Sequence, residues 1–548
     1  MDWAKPISGG SNVQIRESVV DSDNNIYVTG NFIGSVDFDP SSNDYILTSP
    51  TSTYNNNNDI FIAKYNVDGN LVWAKQLIGS GIADYGLSID LDSNGNIYTT
   101  GYFSQNVDFN PSPSGYNSIN VNGFPHAYLL KLDNNGNYIW AKHIVSSASS
   151  TGRQVKIHNN NIFLIGSFYG NSDFDFSSNI YQLSTNSSQV DSFIAKYNLD
   201  GDFIWAKKYG GIGVGEILEG INFDSNNNIY ASGYIRAGTT SGSTLIDGTT
   251  SVQFFGLDDI LVIKTNNLGE LVWAKSFGSS NYDNSWGNVS IDNNDNIYIT
   301  GQFRNTIDFN DDPSVTFNLS TYFINGFLLK LNSDGLFQNA IRIGENGSYT
   351  PCLQSLISQN QITLFGKFSD TVDFDNSVNN SVLSSSGEDD LYILNLDHNL
   401  NFLNVKKIGG NGNQDFSGGS YKNGNLYITG TFNGNTNFDL LGGSNVLTPV
   451  GNYDSFITKY SLPLLDNNTF TLSKSKIYPN PFYSSINIES SNLNKIEIYD
   501  SFGKLHLFKT LTSENILNLD LSHLIKNAYY IKLTNSENYS EYFKILKE

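Results

Sequence analysis

The sequence predicts an all-β chain of seven tandem four-stranded antiparallel units, followed by a small separate β domain. Three observations carry this. Variants of the phrase Asn-Ile-Tyr-x-x-Gly-x-Phe return along the chain, with the glycine at Gly30, Gly101, Gly166, Gly233, Gly301, Gly366 and Gly430, 64 to 71 residues apart. Self-similarity at such a period marks one supersecondary unit copied in tandem, each copy burying its apolar face against its neighbours. Within each copy, runs of Val, Ile, Tyr, Phe and Trp alternate around Asp-Gly, Asn-Gly or Leu-Gly, a hairpin signal. After about residue 470 the period stops.

The elements of one copy follow in order. In Ile89-Asp-Leu-Asp92-Ser-Asn-Gly95-Asn-Ile97-Tyr98 a turn precedes the Ile-Tyr run, which gives strands A and B. Asp59-Ile-Phe-Ile-Ala-Lys64-Tyr65 and Leu71-Val-Trp73-Ala-Lys75, joined through Asp68-Gly69, give strands C and D. Four such strands are the content of a propeller blade. The chain ends bear on closure. The D strand recurs at Trp3, Trp73, Trp140, Trp205 and Trp273, with Asn339 and Asn404 in two degenerate copies, so Trp3 opens the series with no A, B or C strand ahead of it. The last copy has its C strand at Asp454–Tyr460 and no D strand after it. A seven-bladed β-propeller over residues 1–461, its ring closed by the N-terminal strand, accounts for both orphans and leaves no long sheet edge exposed.

Composition sets limits. No run of 18 apolar residues exists, so no spanning helix is expected. Net charge is −22, yet residues 464–548 hold nine lysines and nine acidic residues, so the whole acidic excess lies in the repeats. That excludes nucleic acid or an anionic membrane as an expected partner. Cys352 stands alone and reads as a small buried apolar residue.

The repeats resemble the bacterial propeller repeats of the SBBP kind. The likeness rests on Asp-x-x-x-Asn-Ile-Tyr-x-x-Gly, on Phe193-Ile-Ala-Lys196-Tyr-Asn-Leu-Asp200-Gly201, and on Gly-Gly after the last strand, as at Gly210-Gly211 and Gly409-Gly410. It implies a structural unit of secreted and surface proteins. Beyond a linker at 462–473, residues 474–548 carry an ordered set: Ile477-Tyr-Pro-Asn-Pro481, Ile486-Asn-Ile488, Lys495 to Lys504, Leu519-Asp-Leu-Ser-His-Leu524, Tyr529-Tyr-Ile-Lys-Leu533 and Phe543-Lys-Ile-Leu-Lys547. This set resembles the type A C-terminal sorting domain of the type IX (Por) secretion system of Bacteroidota. The resemblance implies a small Ig-like antiparallel β-sandwich that engages that secretion machinery and takes the protein to the medium or the outer-membrane surface. Where the family has Gly before its Tyr strand, this chain has Asn527, expected to adopt the same left-handed turn. Such cargo carries an N-terminal secretory signal. Met1-Asp-Trp-Ala-Lys5 has no apolar stretch, so the signal is expected upstream of this start or already trimmed.

Candidate chemistry is sparse. Asp90-x-Asp92-x-Asn94-Gly95 matches the opening of a calcium loop, but Gly101 stands where the closing Glu belongs, so an Asx hairpin turn in all seven copies is the favoured reading. Calcium is the one cofactor left open. The Asp-Phe-Asp pairs (Asp37/Asp39, Asp173/Asp175, Asp373/Asp375) read as structural caps ending strand B, with Phe packed between blades. The repeats hold only His126, His143, His158 and His398, at unrelated positions, so no catalytic set is visible and no enzyme is expected. The D–A and B–C links are long and are expected to emerge on one face, where binding concentrates. Arg16, Glu17, Arg153, Glu219, Asp283 and Asp415 are read as lying just before the inner strands and are expected to line the tunnel mouth. A monomeric binding or adhesion module for glycan or protein is the expected function, marked by aromatic platforms such as Tyr282 and Trp286. A polysaccharide hydrolase or lyase at the tunnel mouth is the alternative.

Overall fold

The computed structural model describes every residue except 1, 10, 51–56, 82, 113, 122, 186–188, 212, 239–240, 287–288, 346, 376, 378–379, 462–475, 501–503 and 536–539. The expected linker at 462–473 falls outside the described residues. Contacts divide the chain into two compact units, Met1–Ser461 and Leu462–Glu548. Both are all-β, and among the described residues no helix is long and apolar enough to cross a membrane.

In the first unit a four-stranded antiparallel run in the order A-B-C-D occurs seven times, and in three of these sheets an added hairpin brings the number of strands to six. Sheet one is Asn12–Val20, Ile26–Ile33, Asp59–Tyr65 and Leu71–Gly79; sheet two is Tyr85–Leu91, Ile97–Phe103, His126–Leu132 and Tyr138–His143. Sheet three is Ser150–His158, Asn161–Phe168, Asp191–Asn198 and Phe203–Tyr209; sheet four is Gly215–Phe223, Ile229–Arg236, Asp258–Thr265 and Leu271–Phe277. Sheet five is Val289–Ile291, Ile297–Asp308, Asn318–Leu331 and Phe337–Ile343; sheet six is Cys352–Ile357, Ile362–Phe368, Asp390–Leu396 and Phe402–Gly410. Sheet seven takes Gln414–Lys422, Asn425–Phe432 and Asp454–Ser461 as A, B and C, and its D strand is Trp3–Gly9, paired from Trp3↔Lys459 to Ile7↔Ser455. Each A strand packs on the A strand of the next sheet, and that of sheet seven packs on that of sheet one.

The repeat phrase now has physical reasons. In Asp-x-x-x-Asn-Ile-Tyr, Asp92 Oδ1 accepts from the amides of Asn94 and Asn96, while Oδ2 accepts from Asn96 Nδ2 and the Tyr98 hydroxyl. Asp21, Asp224 and Asp292 do the same. An Asx turn in all seven copies is therefore corrected. Sheets three and seven turn on Asn159-Asn160 and Asn423-Gly424 with positive φ throughout, the type I′ geometry that needs no side-chain cap, and sheet six uses Ser358.

Cross-sheet packing explains Trp and its partner glycine. The rings of Trp3, Trp73, Trp140, Trp205 and Trp273 lie against Gly69, Gly136, Gly201, Gly269 and Gly335, the turn glycine of the following sheet. Trp3 thus meets sheet one as Trp73 meets sheet two.

The phrase glycines have a different cause. In six sheets strand A carries a β-bulge opposite the glycine, as where Ile15 pairs Gly30 and Glu17 pairs Thr29, leaving Arg16 unpaired. The bulge drives a strand A carbonyl over the glycine. A Cβ at Gly30, Gly101, Gly166 or Gly233 would sit 1.9, 1.8, 1.9 or 1.9 Å from that oxygen. In sheet five the corresponding stretch runs into residues 287–288.

The long B–C links are themselves structured. Each folds as a short hairpin, such as Ser35–Asp37 with Ile46–Thr48, and several add to the D strand of the preceding sheet. Asp-Phe-Asp ends that hairpin. Asp37 Oδ1 accepts from the amides of Asp39 and Tyr45, Phe38 is buried, and its carbonyl accepts from Tyr65 Oη. Asp173 and Asp373 accept from two amides in the same way, and Phe174 O likewise accepts from Tyr197 Oη.

In the second unit, Ser485–Asp500 and Leu505–Asp520 are long paired strands. The first half of Ser485–Asp500 also pairs Lys476–Tyr478, and its second half pairs Ala528–Asn535, which pairs Ser540–Leu546. Their apolar faces enclose Ile486, Ile488, Ile496, Ile498, Ile531 and Leu533. Asn527 does not take the expected left-handed conformation; its Oδ1 instead accepts from the Ala528 amide.

Candidate functional site

One cavity of about 730 Å³ is lined by residues from the first strand, or the segment leading into it, of all seven sheets. The bulges decide what it presents. Because a bulged residue leaves the ladder, its side chain is re-aimed, and Arg16, Leu87, Arg153, Glu219, Leu353 and Ser417 all face the cavity. Trp286, next to residues 287–288 in the fifth copy, joins them. Of the sequence candidates, Arg16, Glu17, Arg153, Glu219 and Asp415 are brought together here.

Asp283 is not, which corrects its assignment. It is fully buried beneath the sheet end, accepting from the amides of Ser279 (2.6 Å) and Arg304 (2.7 Å), and burial pushes its carboxyl up to about 6. Sequence position put it three residues before Trp286, but the backbone there turns it inward to tie the Ser279 loop to the strand at Arg304.

The cavity's charges are mostly committed. Glu17 accepts from the Ile89 amide of sheet two (3.0 Å) and from Gln154 Nε2 of sheet three (3.3 Å), with Lys156 Nζ 4.0 Å away. Burial alone would lower Lys156, but Glu17 and Asp90 hold it above the usual lysine value. Arg153 Nη1 lies 3.5 Å from Glu219, whose carboxyl is raised by burial against the pull of Arg153 and Arg236. Asp415 pairs with Lys367 Nζ at 3.0 Å, and Asp389 lies 3.2 Å from the same nitrogen. Arg16 differs. Its Nε donates to Asn31 Oδ1 and its Nη2 to Gln14 Oε1, both neutral, and burial lowers its pKa.

One exposed aromatic ring lies among these charges, Trp286 at 43%. Tyr282 is 51% exposed but does not line the cavity. Tyr85 stacks on Tyr102 with centroids 5.0 Å apart, and the Arg16 guanidinium lies 5.7 Å from the Tyr85 centroid.

The calcium candidates serve different partners. Asp92 and the Asn94 amide belong to the turn described above, while Asp90 Oδ2 accepts from the Ile157 amide of sheet three at 2.7 Å. Among the described residues no group of three His, Cys, Asp or Glu is placed to hold a metal ion. Cys352 is buried, and burial pushes its thiol up to about 12.

Sequence reasoning missed Leu87, Leu353 and Ser417, and with them Gln154, Lys156 and Lys367. A signal existed: the bulged residues stand 13 or 14 positions ahead of each phrase glycine.

Residues 476–548 match the secretion system C-terminal sorting domain family, and residues 72–102 match the β-propeller repeat family SBBP. A WD repeat-containing protein of Acanthamoeba polyphaga mimivirus is 26% identical over 355 residues, covering 55% of this chain and 25% of that protein. The chain thus spans a quarter of the length of that curated relative. Among solved structures, BamB from Moraxella catarrhalis aligns at 11% identity over 65% of this chain and 96% of its own, with a TM-score of 0.26. The extracellular domain of a hybrid two-component system from B. thetaiotaomicron aligns at 13% identity over 97% of this chain and 68% of its own, with a TM-score of 0.28.

Proposed function

We propose that this chain, a β-propeller-repeat protein whose type IX sorting domain marks it for export, is a seven-bladed ring that binds glycan or protein at its channel mouth. Supporting closure are the pairing of Trp3–Gly9 with Asp454–Ser461, the packing of the seventh A strand on the first, and the one cavity that all seven copies line. Closure fixes seven adjacent positions whose side chains differ from copy to copy, so one asymmetric ligand is the natural fit.

The observation that carries binding is Trp286. A tryptophan left 43% exposed inside a cavity whose carboxylates are mostly tied to Lys, Arg or backbone amides presents open aromatic surface there. Exposed aromatic faces on a rigid scaffold are contact area for a ligand. The rival reading, a polysaccharide hydrolase or lyase, draws support from Glu219, whose carboxyl burial raises above its ordinary value beside Arg153.

The test is a glycan array probed with the full chain and with Trp286→Ala, in calcium and in chelator. Binding without product release, lost in Trp286→Ala, is the expected result. Product release would move the chain to the hydrolase or lyase reading. Binding by wild type and Trp286→Ala alike would remove the mouth as the site.

A further inference from the structure

Arg16 and Arg153, the bulge residues of sheets one and three, line the same cavity, and Arg16 lies over an aromatic ring. Arg16 is held by a closed relay: its Nε donates to Asn31 Oδ1 (3.1 Å), Asn31 Nδ2 donates to Asn58 Oδ1 (2.9 Å), and Asn58 Nδ2 donates to Tyr85 Oη (3.0 Å). Asn31 and Asn58 are buried, and the Tyr85 ring at the end of the relay lies under the same guanidinium. Tyr85 stacks on Tyr102, whose phenol feels the charge of both Arg16 and Arg153.

The hydrogen-bond inventory of this cluster is incomplete in one direction. Arg16 forms no ion pair among the described residues, and its known acceptors are neutral amides. Arg153 faces Glu219 at 3.5 Å through Nη1 alone, and its Nε is buried with no acceptor. A buried guanidinium N–H without an acceptor costs free energy, and a planar fork locked in position suits a planar or tetrahedral oxyanion. The chain carries 22 more acidic than basic charges, so its general surface repels polyanions and anion capture must be local.

Resting on the channel-mouth reading above, we propose that the ligand is a saccharide bearing an anionic group, a uronate carboxylate or a sulfate ester. The anion sits on Arg16 and Arg153, which line the same cavity. The asparagine relay fixes the Arg16 fork before the ligand arrives, so little side-chain entropy is lost on binding.

The experiment titrates the full chain by calorimetry with three oligosaccharides of equal length: alginate for uronate, carrageenan for sulfate, and neutral laminarin. At least one acidic probe is expected to bind, with laminarin at least tenfold weaker. Arg16→Gln is expected to weaken the acidic probe by roughly tenfold to a hundredfold, the loss of one charge-assisted hydrogen-bonding group, in a chain that still unfolds cooperatively. Arg153→Gln serves as a second variant should Arg16→Gln disturb folding. Laminarin binding as tight as both acidic probes, or unchanged acidic binding in the folded variants, overturns this assignment and leaves the channel-mouth reading standing. No binding to any of the three overturns the saccharide assignment, and the Trp286→Ala comparison then decides separately whether the mouth binds another ligand.

Discussion

Gly30→Ala tests the link between the repeat glycine and the channel in one substitution. The new Cβ would lie 1.9 Å from Gln14 O and 2.9 Å from the Phe61 ring. The first distance is more than 1 Å inside a C···O contact of about 3.3 Å. Strand A must therefore withdraw, because Phe61 is fully buried and closes the other side. Withdrawal strains the pairs that flank the bulge, Ile15↔Gly30 and Glu17↔Thr29, at about 1 kcal/mol for each hydrogen bond lost. Overpacking adds about 1–3 kcal/mol, so a total near 3 kcal/mol is expected. Gly95→Ala is the control. Its glycine has φ +77° but its Cβ would meet nothing nearer than 3.5 Å, so the cost is the left-handed backbone alone, about 1–2 kcal/mol. Urea unfolding followed by tryptophan fluorescence compares the two, and saccharide binding by folded Gly30→Ala reports whether Arg16 still faces the channel. A Gly30→Ala chain no less stable than Gly95→Ala, with binding intact, would refute the carbonyl-over-glycine account.

Three further outcomes follow from particular contacts. Ile7→Ala, which empties a buried site in the N-terminal strand, is expected to cost about 2–5 kcal/mol, and deletion of residues 2–9 more, by exposing the edge of Asp454–Ser461; an unchanged melting curve for the deletion would sink ring closure by that strand. Burial raises Asp59 and Asp283 to about 6 and Asp84 and Asp259 to about 7, above their unfolded value of 3.8, so the native state holds extra protons between those limits. Stability should then fall as pH rises from about 4 to 7, and Asp84→Asn, which keeps an acceptor for the Ser104 amide, should flatten part of that slope in melting temperatures measured from pH 4.5 to 8.5. Asp92→Ala strips four hydrogen bonds from its turn and should cost about 1–3 kcal/mol, whereas a chelator should leave the wild-type melting temperature unchanged; a chelator-induced drop would return Asp90, Asp92 and Asn94 as calcium ligands.

What could be read in the sequence was what repeats. Strands B and C are buried on nearly every residue, so they appear as unbroken apolar runs in each copy, and the Trp-turn glycine pair recurs because each sheet meets the next in the same way. The hairpins inside the B–C links escaped for a physical reason. Ser35–Asp37 and Ile46–Thr48 are three residues each, too short for any alternation, and they are held by Asp37 and by a neighbouring sheet rather than by their own pattern. The turn at His158 escaped differently, since a type I′ turn of Asn159-Asn160 and an Asx turn both present Asn-rich sequence.

The site was legible only in part, because a bulge has no residue type of its own. Any side chain can occupy a position that leaves the ladder, and the copies hold Arg, Leu, Arg, Glu, Leu and Ser there. Charge singled out Arg16, Arg153 and Glu219, while Leu87, Leu353 and Ser417 gave no chemical signal. The constraint is displaced onto the opposite strand, where a Cβ would strike the carbonyl and only glycine fits. The invariant glycine thus marks the place, and the residue 13 or 14 positions before it carries the variable chemistry. This separates scaffold from function within one repeat: substitutions at the bulge should change ligand preference at little cost in stability, whereas substitutions at the glycine should cost stability first. Exchanging Leu87 for Arg is the direct check. It should add a third guanidinium to the cavity and tighten an acidic saccharide without shifting the melting temperature by more than about 2 °C, since the half-buried Leu87 side chain faces the cavity and leaves the strand ladder. A large loss of stability at Leu87 with no change in binding would show that the bulge positions are packing residues and not ligand contacts.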